Sequence, residues 1–261
     1  MKGLIFEIRL NSLYSIRIPF TWQSALSYPL LPSSAVIGLL ANAIQRSKND
    51  KRPIEYLEKL EDEILWAGSR LKKPCVVKSY TTSAITKWED SVGGKFTNAL
   101  TRQFCYSKNL EIAIIFKDNE SIPFEDYKEA LKTSPLTCGD SESPLSLESD
   151  PEIVEVEEED ANTYKEIVTP FPVPFLKEAE IVEGKGHLYL MHERCLKKED
   201  NLPLVSYLFP IEEKGGILSP TTLKIKSDKL KIYKIKERGI YIAYSPISST
   251  DRTERRKGRK K

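Results

Sequence analysis

Cysteine and histidine are scarce in this chain. Four cysteines, Cys75, Cys105, Cys138 and Cys195, lie far apart among 261 residues, with no C-x-x-C pair. This spacing offers neither a disulfide framework nor a zinc-finger ligand set, and reads as reduced, buried thiols in a cytoplasmic protein. The only two histidines are His187 and His192. Five residues apart on a strand, they point to opposite faces and cannot share a metal. No Cys/His cluster makes up for this, so neither a metal nor another cofactor is expected. Long apolar runs are also missing: nothing approaches the roughly 18 residues of a membrane-spanning helix, so no membrane partner is expected. The start, MKGLIFEIRLNS, alternates charged and apolar residues and reads as a strand rather than a signal peptide. Methionine is down to two residues while 30% of the chain is charged, a bias common in heat-adapted proteins.

Charge is present but segregated. The net value of +2 hides a tail, Asp251 to Lys261, with seven Lys or Arg against two acids, and a stretch, Asp140 to Asp160, with ten acids and no base. A body that is basic outside one acidic segment is compatible with nucleic acid. The run Glu155 to Asp160, EVEEED, reads as a solvated loop turned away from any such ligand, or less readily as a docking patch for a basic partner.

The most informative stretch is Pro29 to Gln45, PLLPSSAVIGLLANAIQ. It carries no charge from Ser33 to Gln45, and a helix apolar on nearly every side is mostly buried. Ser33 or Ser34 would cap it. Gly38, which costs about 1 kcal/mol relative to Ala in a helix, is expected to admit another backbone at close range.

Around it, Gly3 to Leu10 alternates as a strand. Asn11 to Tyr28 is a basic and aromatic linker with Arg17 and Trp22. Pro53 opens an amphipathic helix whose apolar stripe runs to Leu65. Cys75 to Ile85 and Thr101 to Phe116 read as two long strands joined by a Gly-rich, basic, aromatic excursion, an extended hairpin. Phe124, Tyr127 and Leu131 mark another helix. One more strand, from Leu136–Cys138 or Ile153–Val156, would complete a βαββαβ pattern. The expected organisation is an α+β ferredoxin-like domain over 1–160 with its hairpin insertion at about 86–101, a smaller β-rich region over 161–247, and a basic disordered tail from 248 to 261. In the C-terminal region, strands are expected at Thr169 to Phe175, Gly186 to Glu193, Leu204 to Phe209, Thr221 to Ile235 and Gly239 to Tyr244.

Two catalytic motifs are only apparent. GDSES ends in Ser143 instead of the second glycine of a nucleophile elbow, and no clear helix follows. VGGKFT is not a phosphate-binding loop, because Glu89 stands where its first glycine should be.

LPSSAVIGLLANAI resembles the P-P-S-T-x-I-G-x-L signature of the CRISPR-associated protein 5 family, a RAMP-superfamily subunit of type I Cascade complexes. Leu31 and Ser34 replace the usual Pro and Thr. The L-x-x-G-D-S-E-S turn at Leu136 to Ser143, the hairpin insertion and TPFPVPF (Thr169 to Phe175) agree in order, and the archaeal type I-A branch is the most similar. The resemblance implies an RRM-related fold that grips the 5′ handle of the CRISPR RNA (crRNA). It also implies a hairpin "thumb" reaching the repeated backbone subunit, and docking of the Cascade large subunit. Single-stranded RNA is held by cations, stacking rings and amides. The RNA-binding candidates are therefore Lys87, Trp88, Lys95, Phe96 and Arg102 in the thumb, Arg17 and Trp22 before the helix, Ser33 and Ser34 at its start, and Ser141 and Ser143 in the turn. No catalytic residue is expected. The alternative is a metal-independent endoribonuclease using His187 with Lys185 and Tyr189.

Overall fold

The computed structural model describes residues 1–21, 24–85, 97–118, 121–139, 143–159, 166–176, 179–196, 204–227 and 229–245, with the backbone alone for 82–85 and 97–100. In chain order the first part holds β1 (Lys2–Leu10), β2 (Ser24–Ala25), α1 (Ser33–Lys48), α2 (Pro53–Glu63), β3 (Ile64–Leu71), β4 (Cys75–Ile85), β5 (Thr97–Ser107), β6 (Asn109–Phe116), α3 (Phe124–Thr133), β7 (Leu136–Thr137), β8 (Pro144–Leu147) and β9 (Glu152–Glu159).

The alternation of β1 places it at the centre. It pairs antiparallel with β6 on one side and with β8 and then β9 on the other, while β6 pairs antiparallel with β3. Leu4, Phe6, Ile8 and Leu10 are buried in the core that includes α1 and α3, and Ile5 is buried in a second core on the other face with Trp66, Ile115 and Phe171. Both candidates for the final strand have a place: Ile153–Val156 lies in β9 beside β1, and Leu136–Thr137 forms the short β7 that pairs β8.

Two sequence readings are corrected. The stripe through Leu65 is not all helix, because α2 stops at Glu63 and Ile64 begins β3. A short apolar run fits either state by periodicity alone, and pairing with β6 decides it. The long strand Thr101–Phe116 is also two strands. It breaks at Lys108, where the chain leaves the hairpin sheet and joins the central one. The second β-α-β strand is therefore β3, and the β4–β5 hairpin lies in a different sheet, beside β2.

The rest of the chain adds β10 (Ile167–Thr169), β11 (Val173–Pro174), β12 (Glu180–Glu183), β13 (His187–His192), β14 (Leu204–Phe209), β15 (Ile211–Lys214), β16 (Ile217–Pro220), β17 (Leu223–Lys226), β18 (Lys231–Ile235) and β19 (Ile240–Tyr244). Four of these strands extend sheets begun earlier: β18 and β19 continue the central sheet through β9, and β15–β16 continues the hairpin sheet through β4, while β10–β17–β12 and β11–β14–β13 form two further three-stranded sheets. The acidic run is not a loop. Val154 and Val156, each 3% exposed, alternate with glutamates and make β9 a half-buried strand. Its acids meet the lysines after Leu230: Lys231 Nζ lies 2.8 Å from Glu158, and Lys236 Nζ lies 2.6 Å from Glu157 and 3.2 Å from Glu155. The basic partner is the chain itself.

Candidate functional site

α1 opens onto a cleft of ≈ 330 Å³. Its floor is the first turns of the helix, with Ser34, Ala35, Gly38 and Asn42. One wall is the 16–19 segment with Arg17, another is Pro135 to Gly139, and His192 and Cys195 close the third side. Arg17 is the one Lys or Arg among the described lining residues, and none of those residues is a carboxylate. α1 begins at Pro32 with no side-chain cap and no acid in its first turn, while Arg46 and Lys48 sit in its last. The leading N–H groups of a helix lack partners within it, and its positive end here faces no counter-charge of its own. The arrangement favours an anion.

Each wall has a reason to stand where it does. The buried carboxylate of Glu61 accepts the backbone N–H of Cys195 and of Leu196. The Cys195 thiol donates to the Ser34 carbonyl at 3.2 Å. Arg194 donates to the Ile64 carbonyl at 2.8 Å. Gly139 has φ +84°, and a Cβ there would meet Ile16 at 2.6 Å. Only glycine lets this wall turn against the 16–19 segment. Arg17 donates to the Thr21 carbonyl at 2.7 Å and is exposed.

The predicted residues divide. Arg17 and Ser34 meet at the cleft. Ser33 is buried and its hydroxyl donates to the Ala67 carbonyl on β3 at 2.6 Å, so it neither caps α1 nor offers its side chain to a ligand. Ser143 is likewise buried, its hydroxyl donating to the Leu13 carbonyl at 2.9 Å while its own carbonyl receives the Cys138 N–H at 2.8 Å. It shapes the turn and presents no hydroxyl to RNA. Arg102 lies on the hairpin, with its guanidinium 4.8 Å from the Phe104 ring centre. Lys87, Trp88, Lys95, Phe96, Trp22 and Ser141 lie outside the described residues. Gly38 admits no backbone: a Cβ there meets nothing within 4 Å, because the residue faces the cleft. Asn42, Thr137, His192 and Cys195 were missed by sequence reasoning, since only the fold gathers them.

His187, Lys185 and Tyr189 do not converge as free groups. Lys185 is paired with Glu212 at 2.5 Å. Tyr189 packs against the tilted rings of Tyr28 and Phe209, and burial pushes its phenol up to about 12. The two histidines line different clefts.

The model of a family described as CRISPR-associated protein (Cas_Cas5) matches residues 4–160, more than half of the chain. The chain belongs to this Cas5 family. No curated protein gives a match. A crystal structure of a CRISPR protein from Archaeoglobus fulgidus superimposes with TM-score 0.61 at 17% identity, covering 94% of this chain and 99% of that one. Its fold is therefore shared. A chain from the cryo-EM structure of the Type III-B Cmr-beta bound to cognate target RNA and AMPPnP reaches TM-score 0.46 at 10% identity, covering 84% of this chain and 86% of that one. A chain of a CRISPR RNA-guided surveillance complex gives 0.39 at 14%, covering 86% and 88%. The role of the chain is CRISPR-associated. No described helix is long and apolar enough to cross a membrane.

Proposed function

We propose that this Cas5 chain is a non-catalytic RNA-binding subunit of a type I Cascade surveillance complex, of the type I-A kind, that holds the 5′ handle of the crRNA. In this reading the strand order β9–β1–β6–β3 with its α1 and α3 crossovers is the ferredoxin-like RAMP core, and the β4–β5 hairpin is the thumb toward the repeated backbone subunit. The Cascade large subunit docks on the same chain.

The observation that supports this best is the cleft at the start of α1. It joins an uncapped helix N-terminus, an exposed Arg17 and Ser34 in a concavity with no carboxylate among its described lining residues. Phosphate oxygens suit such a setting, and neighbouring backbone carbonyls and the Asn42 amide suit a base edge. RNA cleavage by His187 has less support, because Lys185 is already neutralised and Tyr189 is packed among rings.

The test uses purified full-length chain and RNA of the CRISPR repeat. Wild-type protein is expected to bind this RNA and leave it intact in EDTA. Arg17→Glu is expected to weaken binding by about tenfold or more, with a shallower salt dependence. Unchanged affinity in a folded Arg17→Glu protein would remove the cleft from the account. Cleavage abolished by His187→Ala would replace the scaffold reading with the nuclease.

A further inference from the structure

One position of α1 lowers the stability of the helix, and nothing inside the chain accounts for it. Ala35, Gly38 and Asn42 are spaced by three and four residues, so they lie one above another on the side of α1 that lines the cleft. Val36, Ile37, Leu40 and Ile44 turn the other way and are buried in the core. After proline, glycine is the poorest residue for a helix interior, because it loses the most backbone freedom on folding.

The other glycines inside described helices or strands have a packing reason. A Cβ on Gly3 in β1 would meet the Ile114 carbonyl at 2.8 Å, and one on Gly68 in β3 would meet the Trp66 ring at 2.6 Å. Gly38 has none: its backbone is helical, and a Cβ there meets nothing within 4 Å. Any side chain at this position would project into the cleft. The volume of ≈ 330 Å³ is near the small end for ligand cavities, about 300 to 1,000 Å³. It has room for one residue of a polymer and not for a run of them. The bare floor between Ala35 and Asn42 is therefore a property of the cleft, held against the preference of the helix.

The surroundings say what fits on that floor. Ala35 and Gly38 lie beneath, and Pro19 and Pro135 belong to the two flanking walls. Polar groups stand at the margin: Asn42 one turn beyond Gly38, with Thr137 and His192. An apolar seat with a few polar groups at its edge suits a flat ring that carries donors and acceptors on its rim. An aliphatic side chain would cover the floor and leave the Asn42 amide without a partner. A nucleobase supplies both parts, and unstacked bases of single-stranded RNA are read on their edges in this way. Asn42 carries the one amide side chain among the described lining residues. An amide presents a donor beside an acceptor, the complement of the N6 and N7 groups of adenine.

We propose that Gly38 is the specificity-determining residue of the cleft: it seats one unstacked nucleobase flat on α1, with adenine preferred because its edge meets Asn42. This rests on the RNA-binding reading of the cleft above and adds what the cleft discriminates. Phosphate contacts such as that of Arg17 carry no sequence information, whereas the seat selects by shape and by hydrogen bonding. Stability and binding then respond in opposite directions to one change. A methyl group at position 38 favours the helix and crowds the base. Because the seat holds no charge, filling it lowers affinity and leaves the salt slope alone.

The experiment measures fluorescence anisotropy of labelled oligoadenylate and oligouridylate of about 15 nucleotides with the full-length chain as wild type, Gly38→Ala, Gly38→Leu and Asn42→Ala. Circular dichroism melting checks that each variant folds. Wild type is expected to bind oligoadenylate at least about fivefold more tightly than oligouridylate. Gly38→Leu should weaken oligoadenylate binding by at least about tenfold with an unchanged salt slope. Gly38→Ala, the variant safest for the fold, should melt no lower than wild type and still bind oligoadenylate more weakly. Asn42→Ala should bring the affinity for oligoadenylate down toward that for oligouridylate. If folded Gly38→Ala and Gly38→Leu both bind oligoadenylate as wild type does, the seat is overturned, and a continued loss of repeat-RNA binding in Arg17→Glu leaves the cleft reading standing alone. Equal affinity of wild type for the two oligonucleotides overturns the reading of adenine by Asn42. Absence of any RNA binding by wild type overturns the seat and the cleft together.

Discussion

The thiol of Cys195 donates to the carbonyl of Ser34 across 3.2 Å. The two residues stand 161 positions apart in the chain, and the bond ties a C-terminal segment to the mouth of α1. Glu61 fixes that segment from the other side by receiving the N–H groups of Cys195 and Leu196. Glu61→Ala leaves these donors inside the protein without their acceptor, at a cost of about 1–3 kcal/mol. The segment should loosen, and Cys195 should react with iodoacetamide faster than in wild type. Urea titration and timed mass spectrometry measure the two effects.

Alkali provides a second check. Burial, helped by the Glu61 carboxylate, pushes the Cys195 thiol up to about 11, and burial pushes the Tyr189 phenol up to about 12. Both groups are neutral in the folded chain at pH values where the unfolded chain has begun to ionise them. Their contribution is complete below about pH 9, the ordinary thiol value, and is lost as pH rises through 11 and 12. The melting temperature should hold from neutral pH to about 9 and then fall steeply. A flat profile to pH 11 would mean that these groups are solvated.

Two glycines should respond in opposite ways to alanine. A Cβ on Gly38 enters open cleft space, so Gly38→Ala should stabilise α1 by about 1 kcal/mol. A Cβ on Gly139 meets Ile16 at 2.6 Å on a backbone with φ +84°, so Gly139→Ala should destabilise by more than that gain. Chemical denaturation of the two variants side by side gives both signs.

The second face of the central sheet depends on Phe171, which is fully buried and meets Trp66 edge-on at 5.6 Å. Phe171→Ala should cost about 3–5 kcal/mol, as for other buried aromatics. A loss below about 1 kcal/mol would mean that this segment does not cover the sheet.

Much of this arrangement could be read from residue order, for identifiable reasons. The strand alternation of β1, the uncharged α1 and the family signature each belong to one contiguous stretch. β3 was hidden because Ile64 and Leu65 fit the helical stripe before them, and only pairing with β6 separates strand from helix. The acidic strand β9 was hidden because its glutamates look solvated until the lysines of β18 and Lys236, more than seventy residues later, are placed beside them. The cleft shows the same limit. Arg17 and Ser34 stood out by type and position, while Thr137 and the pair His192 and Cys195 come from two distant segments. Ser33 and Ser143 had the right chemistry for RNA, but their hydroxyls are turned inward to Ala67 and Leu13.

The central claim is that the cleft at the start of α1 holds the RNA handle. The most direct measurement is the dissociation constant of repeat RNA across a salt series for wild type and Arg17→Glu. The account predicts that the variant binds at least about tenfold more weakly, and that its plot of log affinity against log salt is less steep by roughly one released counterion. Superimposable salt titrations for the two folded proteins would contradict it.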